Sequence, residues 1–409
     1  MTRSLRIHVV DDDPAIVQLV SEALRLKGHE VETSDNGADG LVRILESVPD
    51  LVVLDLMMPG MDGVELCRRV RAESSLDNTR LIVLSAKVYA ADREAAMAAG
   101  ADAFVTKPIR AERLHDTVAR LIDDRIHVGF WGVRGTLPAP SPENIRYGGN
   151  TSCVSLVFPR GQRFILDAGT GIRGLGNHLL ATETGRISAA IMLTHPHWDH
   201  INALPFFAPL FVPGNQFQIC GPSQPGASVR DLVAAQMDGR FFPITPREFG
   251  ADLTYTDLRQ GRYRIQDIEV EAMMLMHPGV CLGYRFRHRG RSVAYVTDQE
   301  LYLPSSPFYT EEYVERLIAF LSGTDLLITD TTYTDEEYPR KVGWGHSCVS
   351  QVADLAHRAA VRQLCIFHHD PAQDDEAIDR KLASVQEALA RRGSSVEALA
   401  PAEGDTIEV

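Results

Sequence analysis

Five short β-rich runs punctuate the first 124 residues of this 409-residue chain: RIHVV, VETS, LVVLDL, RLIVLSA and AFVTK. A stretch with apolar positions at helical spacing follows each, from AIVQLVSEALRLKGH to RAERLHDTVARLIDD. Alternation of this kind predicts a doubly wound α/β domain with a five-stranded parallel sheet and functional residues at the carboxyl ends of its strands. From RIHVGFWGVRGT onward the pattern changes: strands dominate, Gly and Pro increase, and helices return between pairs of strands. The length also exceeds the roughly 100–200 residues of one domain. The reading is therefore two domains, 1–124 and 125–409, with no long Gly/Ser linker between them, which predicts close coupling.

Polar residues close the strand runs of the first domain. Asp11, Asp12 and Asp13 follow the first strand, Asp55 ends the third, Ser85 the fourth and Lys107 the fifth. In a parallel sheet these ends converge. Carboxylates gathered there repel one another unless a hard cation such as Mg²⁺ lies among them, and a lysine opposite would steady a phosphoryl group on Asp55. Taken alone, DDDP reads equally well as a cap for the helix that it precedes. The whole set, in order, resembles the receiver domain of two-component response regulators over residues 4–124. That resemblance implies a flavodoxin-like fold, phosphorylation of Asp55, and Mg²⁺ held by Asp12, Asp55 and the Met57 carbonyl with Asp11 beside them. It further implies that Ser85, Phe104 and Lys107 report the phosphorylated state. A sensor histidine kinase or phosphotransfer protein would be the donor, and pairing of two receivers through their last helices would give a homodimer.

The second domain concentrates histidine: seven of the chain's 14 lie there in four short segments. In AAIMLTHPHWDH an apolar strand runs into His195. Side chains two apart on extended backbone point the same way, so His195 and His197 can grip one ion. A turn into the helix-like INALPFF then lets Asp199 and His200 face another. Imidazole and carboxylate suit Zn²⁺, and also Mn²⁺ or Fe. His277, Asp298 and His368 each follow a further apolar strand run. The series resembles the metallo-β-lactamase superfamily, an αβ/βα sandwich with its metals at the rim, over about 127–409. The resemblance implies one metal on His195, His197 and His277, a second on Asp199, His200 and His368, and Asp298 bridging them; the adjacent His369 is the alternative to His368.

Three features narrow the likeness: RYGGNTSCVSLV and FILDAGTGIRGLG with Asp167 near the metal edge, HPGVCLGYRF, and GWGHSCVSQVADLAHRAA with His346 before a helix. Together they resemble the branch containing tRNA 3′-processing endonuclease and related phosphodiesterases. There the residue matching His346 lies near the scissile phosphate; otherwise it would cap its helix. A Glu where His197 stands would have pointed instead to diiron oxygen-binding relatives.

Composition removes other classes. The apolar runs are shorter than the about 20 residues that cross a bilayer. The N-terminus MTRSLRIHVVDDDP lacks the apolar core and cleavage site of a signal peptide, so a cytoplasmic protein is expected. The six cysteines (Cys67, Cys153, Cys220, Cys281, Cys348 and Cys365) are scattered, without disulfide or CxxC spacing. A net charge of −14 argues against broad neutralisation of a nucleic acid, while bound cations leave a small anionic substrate open. The expected function is a phosphorylation-regulated, two-metal phosphodiesterase in which Asp199 holds charge and geometry and His346 is general acid, acting on a cyclic nucleotide or other small phosphodiester. The alternatives are an endoribonuclease, a lactone or thioester hydrolase, and a non-catalytic ligand-binding module.

Overall fold

The computed structural model describes residues 4–86, 90–122, 124–183 and 185–409. They form two compact units, Met1–Asp124 and Arg125–Val409.

In the first unit, strands and helices alternate as β1 (Arg6–Val10), α1 (Pro14–Leu26), β2 (Glu30–Ser34), α2 (Gly37–Ser47), β3 (Leu51–Asp55), α3 (Gly63–Arg71), β4 (Arg80–Ser85), α4 (Ala90–Ala98), β5 (Ala103–Thr106) and α5 (Ala111–Ile122). All five strands are parallel, in the order β2-β1-β3-β4-β5. β3 and β4 are buried throughout, as continuous apolar strands covered on both faces must be. One face packs Val9, Val53 and Ile82 on Val20 of α1 and Leu114 of α5. The other packs Val10, Val52 and Val83 on Ile44 of α2 and Leu66 of α3. Asp13 caps α1 by accepting from the Ala15 amide, with Pro14 in the first turn. The cap reading of DDDP thus holds for its third aspartate.

The second unit contains two seven-stranded sheets. The first is built from β6 (His127–Gly132), β7 (Cys153–Val157), β8 (Arg163–Leu166), β9 (Ser188–Met192), β10 (Gln216–Pro222), β11 (Asp252–Leu258) and a last strand, Thr406–Glu408. Their order is β11-β10-β9-β8-β7-β6 and then Thr406–Glu408, parallel from β8 to β11. The second sheet runs β12 (Gly261–Ile265), β13 (Ile268–Met274), β14 (Leu282–His288), β15 (Arg291–Val296), β16 (Leu326–Asp330), β17 (Gln363–Phe367) and β18 (Glu397–Leu399), in that order. β12–β15 pair antiparallel and β15–β18 parallel.

The sheets face each other across a core of Phe130, Phe164, Met192, Tyr284, Tyr295 and Phe367. Helices Gly171–Thr182 and Val229–Ala235 cover the outer face of the first sheet. Helices Glu311–Leu321, Val349–Arg358 and Asp375–Arg391 cover that of the second. This is the αβ/βα sandwich.

One local expectation changes. INALPFF is not a continuous helix: a four-residue helix, Trp198–Ile201, gives way to 3₁₀ turns at Leu204–Phe206 and Ala208–Phe211. Pro205 and Pro209 lack the amide that a longer helix needs there.

Candidate metal centre

The strand ends of the second unit gather donor atoms from segments far apart in sequence. His195 and His197 follow β9, His277 follows β13, Asp298 follows β15 and His368 follows β17, while Asp199 and His200 lie on the short Trp198–Ile201 helix. Donor atoms of His195, His197, His277 and Asp298 lie within 4.8 Å of one another, as do those of Asp199, His200, Asp298 and His368. Asp298 is common to both groups. Its Oδ1 lies 3.2 Å from His200 Nε2 and 3.1 Å from His368 Nε2, and its Oδ2 lies 3.6 Å from His195 Nε2. The His369 ring lies elsewhere, edge-on to Tyr147 at 6.2 Å between ring centres.

The backbone bends sharply where these residues leave their strands. Asp167, Asp298 and His368 adopt φ of 58°, 45° and 60°, a left-handed conformation costing about 1–3 kcal/mol at each such residue.

Hydrogen bonding at Nδ1 orients the imidazoles. His277 Nδ1 lies 2.9 Å from the Gly345 carbonyl, which can only accept, so Nδ1 carries the proton and Nε2 a lone pair. His200 Nδ1 lies 2.8 Å from Asp167 Oδ2, so it too carries a proton. Thr194 Oγ1 and Thr332 Oγ1 donate to Asp167 and Asp330, and so can accept from Nδ1 of His195 and His368, each 3.1 Å away. The Nε2 atoms so directed converge on one another and on the carboxylates. His200 Nε2 is 3.3 Å from His368 Nε2, and His277 Nε2 is 3.0 Å from His197 Nδ1. His195 Nε2 is buried without a hydrogen-bond partner among the described residues. Imidazole nitrogens and carboxylates gathered in this way could hold a cation, and the donor set fits divalent metal ions.

The charge balance agrees. Burial disfavours the charged form of His200, yet Asp298, Asp199 and Asp167 outweigh it and hold the imidazolium well above its usual range. Burial likewise opposes ionisation of Asp199 and Asp298, but the neighbouring imidazoles, His200 first, pull both below the usual carboxylate range.

Beside this cluster, His346 stacks on His368 with 4.9 Å between ring centres. Its Nδ1 lies 2.8 Å from Asp330 Oδ2. Burial works against the imidazolium, but Asp330 more than compensates and raises the His346 pKa to about 9. His346 does not cap the helix that follows; Cys348 occupies that position. Glu300, almost fully buried, holds the preceding loop: its carboxylate accepts from Tyr338 Oη at 2.9 Å and from the Gly343 and Gly345 amides at 2.8 Å.

Sequence reading missed Asp330, Thr332, Thr194, Glu300 and Gly135. The pattern that flagged Asp298, an acid ending an apolar run, also marks Asp330 in DLLITD. Gly135 carries no local signal. Its amide donates to the His369 carbonyl, while the His369 amide donates to that of Val133. This pairing brings Gly135 so close to His368 that an added Cβ would lie 2.1 Å from the ring. Gly135→Ala is therefore expected to cost about 1–3 kcal/mol of stability through overpacking and to weaken metal binding by displacing His368. Thermal unfolding and metal analysis check this; unchanged metal content would show that the ring can yield.

In the first unit, Asp11, Asp12 and Asp55 bring carboxylate oxygens within 4.8 Å of one another, and their character as a clustered oxygen donor set fits Mg²⁺. Lys107 Nζ lies 2.9 Å from Asp11 Oδ2 and 2.5 Å from Asp55 Oδ1. The Met57 amide donates to Asp55 Oδ2 at 2.6 Å. Burial raises the Asp11 pKa despite Lys107, whereas Asp55 and Asp11 overcome burial to raise that of Lys107. Ser85 is buried, its carbonyl accepting from the Lys107 amide, and Phe104 is half-buried beside the α2–α4 face of the core.

Comparison with known proteins matches residues 7–119 to the response regulator receiver domain and residues 162–369 to the beta-lactamase superfamily domain. The chain is 38% identical over 113 residues to the DNA-binding response regulator MtrA of Mycolicibacterium smegmatis, covering 28% of this chain and 48% of that one. It is 40% identical over 111 residues to the response regulator MprA of Mycobacterium bovis, covering 27% and 47%. The chain thus spans about half the length of the curated relatives it matches. Among solved structures, it is similar to the metallo-beta-lactamase fold protein YhfI of Bacillus subtilis at 16% identity and a TM-score of 0.49, over 70% of this chain and 100% of that one. The chain belongs to the beta-lactamase superfamily and carries a response regulator receiver domain at its N-terminal end.

Proposed function

We propose that this protein is a metal-dependent phosphodiesterase whose activity is set by phosphorylation of Asp55. Its substrate would be a small phosphodiester, a cyclic nucleotide foremost. The observation that carries the reading is the pair of donor groups sharing Asp298, with His346 anchored by Asp330 against one of them. His195, His197, His277 and Asp298 would hold one divalent ion, and Asp199, His200, His368 and Asp298 the other. Zn²⁺ suits the donors best, with Mn²⁺ or Fe as alternatives. When bound, such ions lower the pKa of water and offset the charge that grows on phosphorus.

The chain's own groups do the rest. Asp199, its Oδ2 accepting the Thr136 amide at 2.7 Å, keeps its negative charge and geometry as the reaction proceeds. With Nδ1 held by Asp330, His346 has Nε2 left to give a proton. As the water oxygen bonds to phosphorus and the ester bond breaks, that proton passes to the departing alkoxide, yielding a phosphomonoester and an alcohol. Asp167, through His200, and Gly345, through His277, keep the imidazoles oriented.

In the receiver, Mg²⁺ on Asp11, Asp12, Asp55 and the Met57 carbonyl would support phosphoryl transfer to Asp55, with Ser85, Phe104 and Lys107 responding. The receiver implies a histidine kinase or phosphotransfer partner. Among the described residues, no helix is long and apolar enough to cross a membrane.

The test is hydrolysis of 3′,5′-cyclic nucleotides, cyclic dinucleotides and a transfer-RNA precursor by Zn²⁺- and Mn²⁺-loaded protein. Each is assayed with and without the phosphoryl mimic beryllofluoride, beside an Asp55→Asn control. Cleavage of a small diester is expected, lost on chelation, restored by metal, and altered by the mimic only when Asp55 is present. Cleavage of RNA alone would make the protein a nuclease, and turnover of lactones or thioesters without any diester would overturn the reading.

A further inference from the structure

The loop from Tyr338 to His346 carries an ammonium group, that of Lys341, against the same Tyr333 ring that meets His346. The second unit contains two lysines, Lys341 and Lys381. Lys381 is fully buried, its Nζ donating to the Thr332 carbonyl at 3.2 Å and to Gln373 Oε1 at 2.7 Å. Lys341 is half-buried and makes no ion pair among the described residues. Aromatic faces hold it instead: Nζ lies 4.0 Å from the ring centre of Trp344 and 5.6 Å from that of Tyr333. Ring faces orient a cation without neutralising it as a carboxylate would, so its N–H donors remain available to an anion.

The loop is built to keep this group in place. Glu300 pins it at Tyr338, Gly343 and Gly345, on both sides of Lys341. The Lys341 amide donates to the Tyr338 carbonyl at 2.7 Å, and the Trp344 amide to the Lys341 carbonyl at 3.0 Å. Gly343 and Gly345 both take φ of 87°, which the tight path requires. Tyr333 joins the ammonium to the site, because the same ring meets His346 edge-on at 5.9 Å.

We propose that Lys341, held over Trp344 and Tyr333, is a substrate-recognition residue that binds an anionic phosphate oxygen of the substrate next to His346. The proposal rests on the phosphodiesterase reading and deepens it: the substrate is a phosphate ester recognised by its charge, which a neutral lactone or thioester would not supply.

The test compares wild type, Lys341→Met and Lys341→Arg in two measurements on metal-loaded protein. The first is turnover of bis(p-nitrophenyl) phosphate and of the neutral ester p-nitrophenyl acetate. The second is equilibrium binding of adenosine 5′-monophosphate and of adenosine, read from the fluorescence of the chain's three tryptophans. Lys341→Met is expected to raise KM for the diester and weaken adenosine 5′-monophosphate binding by about tenfold. The neutral ester and adenosine should be unaffected, and Lys341→Arg should recover most of the loss. Unchanged KM and monophosphate affinity, equal losses for charged and neutral ligands, or no preference of wild type for the monophosphate would each overturn the proposal. If wild type cleaves no diester yet Lys341→Met still loses the monophosphate selectively, the anion site stands and the phosphodiesterase reading falls.

Discussion

Asp298→Ala is expected to abolish turnover and to deplete the centre of metal. The residue is 2% exposed and lies where the two donor groups meet. Apart from Asp298, the group containing His195, His197 and His277 consists entirely of imidazoles. Without that carboxylate it has no anionic ligand, whereas the other group retains Asp199. The loss of activity should therefore exceed the roughly 10–100-fold that removal of an outer-shell partner costs. The first ion should be lost outright and the second weakened. Asp298→Asn, which keeps the shape and removes the charge, should fall between wild type and alanine in metal content. Metal analysis and activity on the same samples provide the check, with circular dichroism to confirm that the variants are folded. A variant that keeps its full metal content and activity would show that Asp298 serves only to hold its strand end in place.

His346→Ala is expected to reduce kcat by about 10²–10⁴-fold on a diester that expels an alkoxide, the range typical of a lost general acid. The same variant should lose far less on bis(p-nitrophenyl) phosphate, whose phenolate departs without a proton. Asp330→Asn should show the same leaving-group selectivity in weaker form, since it loosens Nδ1 while leaving the imidazole present. Metal content has to be measured in parallel, because donor atoms of His346 and Asp330 come within 4.8 Å of that of His368. Equal losses on both substrates would assign His346 to shaping the site rather than to proton transfer.

Much of this architecture is legible in local sequence. The alternation of short β-rich runs with helical stretches predicts the parallel sheet of the first unit, because side-chain period follows from backbone geometry alone. Each apolar run ends where the chain leaves the core, and a polar residue there is carried to the edge of its sheet. That reasoning placed Asp55, Lys107, His195, His277, Asp298 and His368 at strand ends, where they lie in the structure. It applies equally to Asp330, but an acid ending one strand has no evident partner until its neighbours in the fold are known. INALPFF shows the limit of periodicity: apolar spacing suggested a helix, while two prolines shortened it to one turn and 3₁₀ segments.

What the sequence determined by itself, then, is the kind of residue at each strand end and the separation into an α/β receiver and a histidine-bearing sandwich. The direction of each donor atom was decided by tertiary structure. Asp199 Oδ2 meets His368 Nε2 at 3.1 Å across 169 residues of chain. The proton on His200 is placed by Asp167, that on His277 by the Gly345 carbonyl, and the room for His368 by the missing side chain of Gly135. Spacing along one strand cannot report any of these. A lone pair is aimed by the acceptor opposite the other ring nitrogen, and only the packing of distant segments supplies that acceptor.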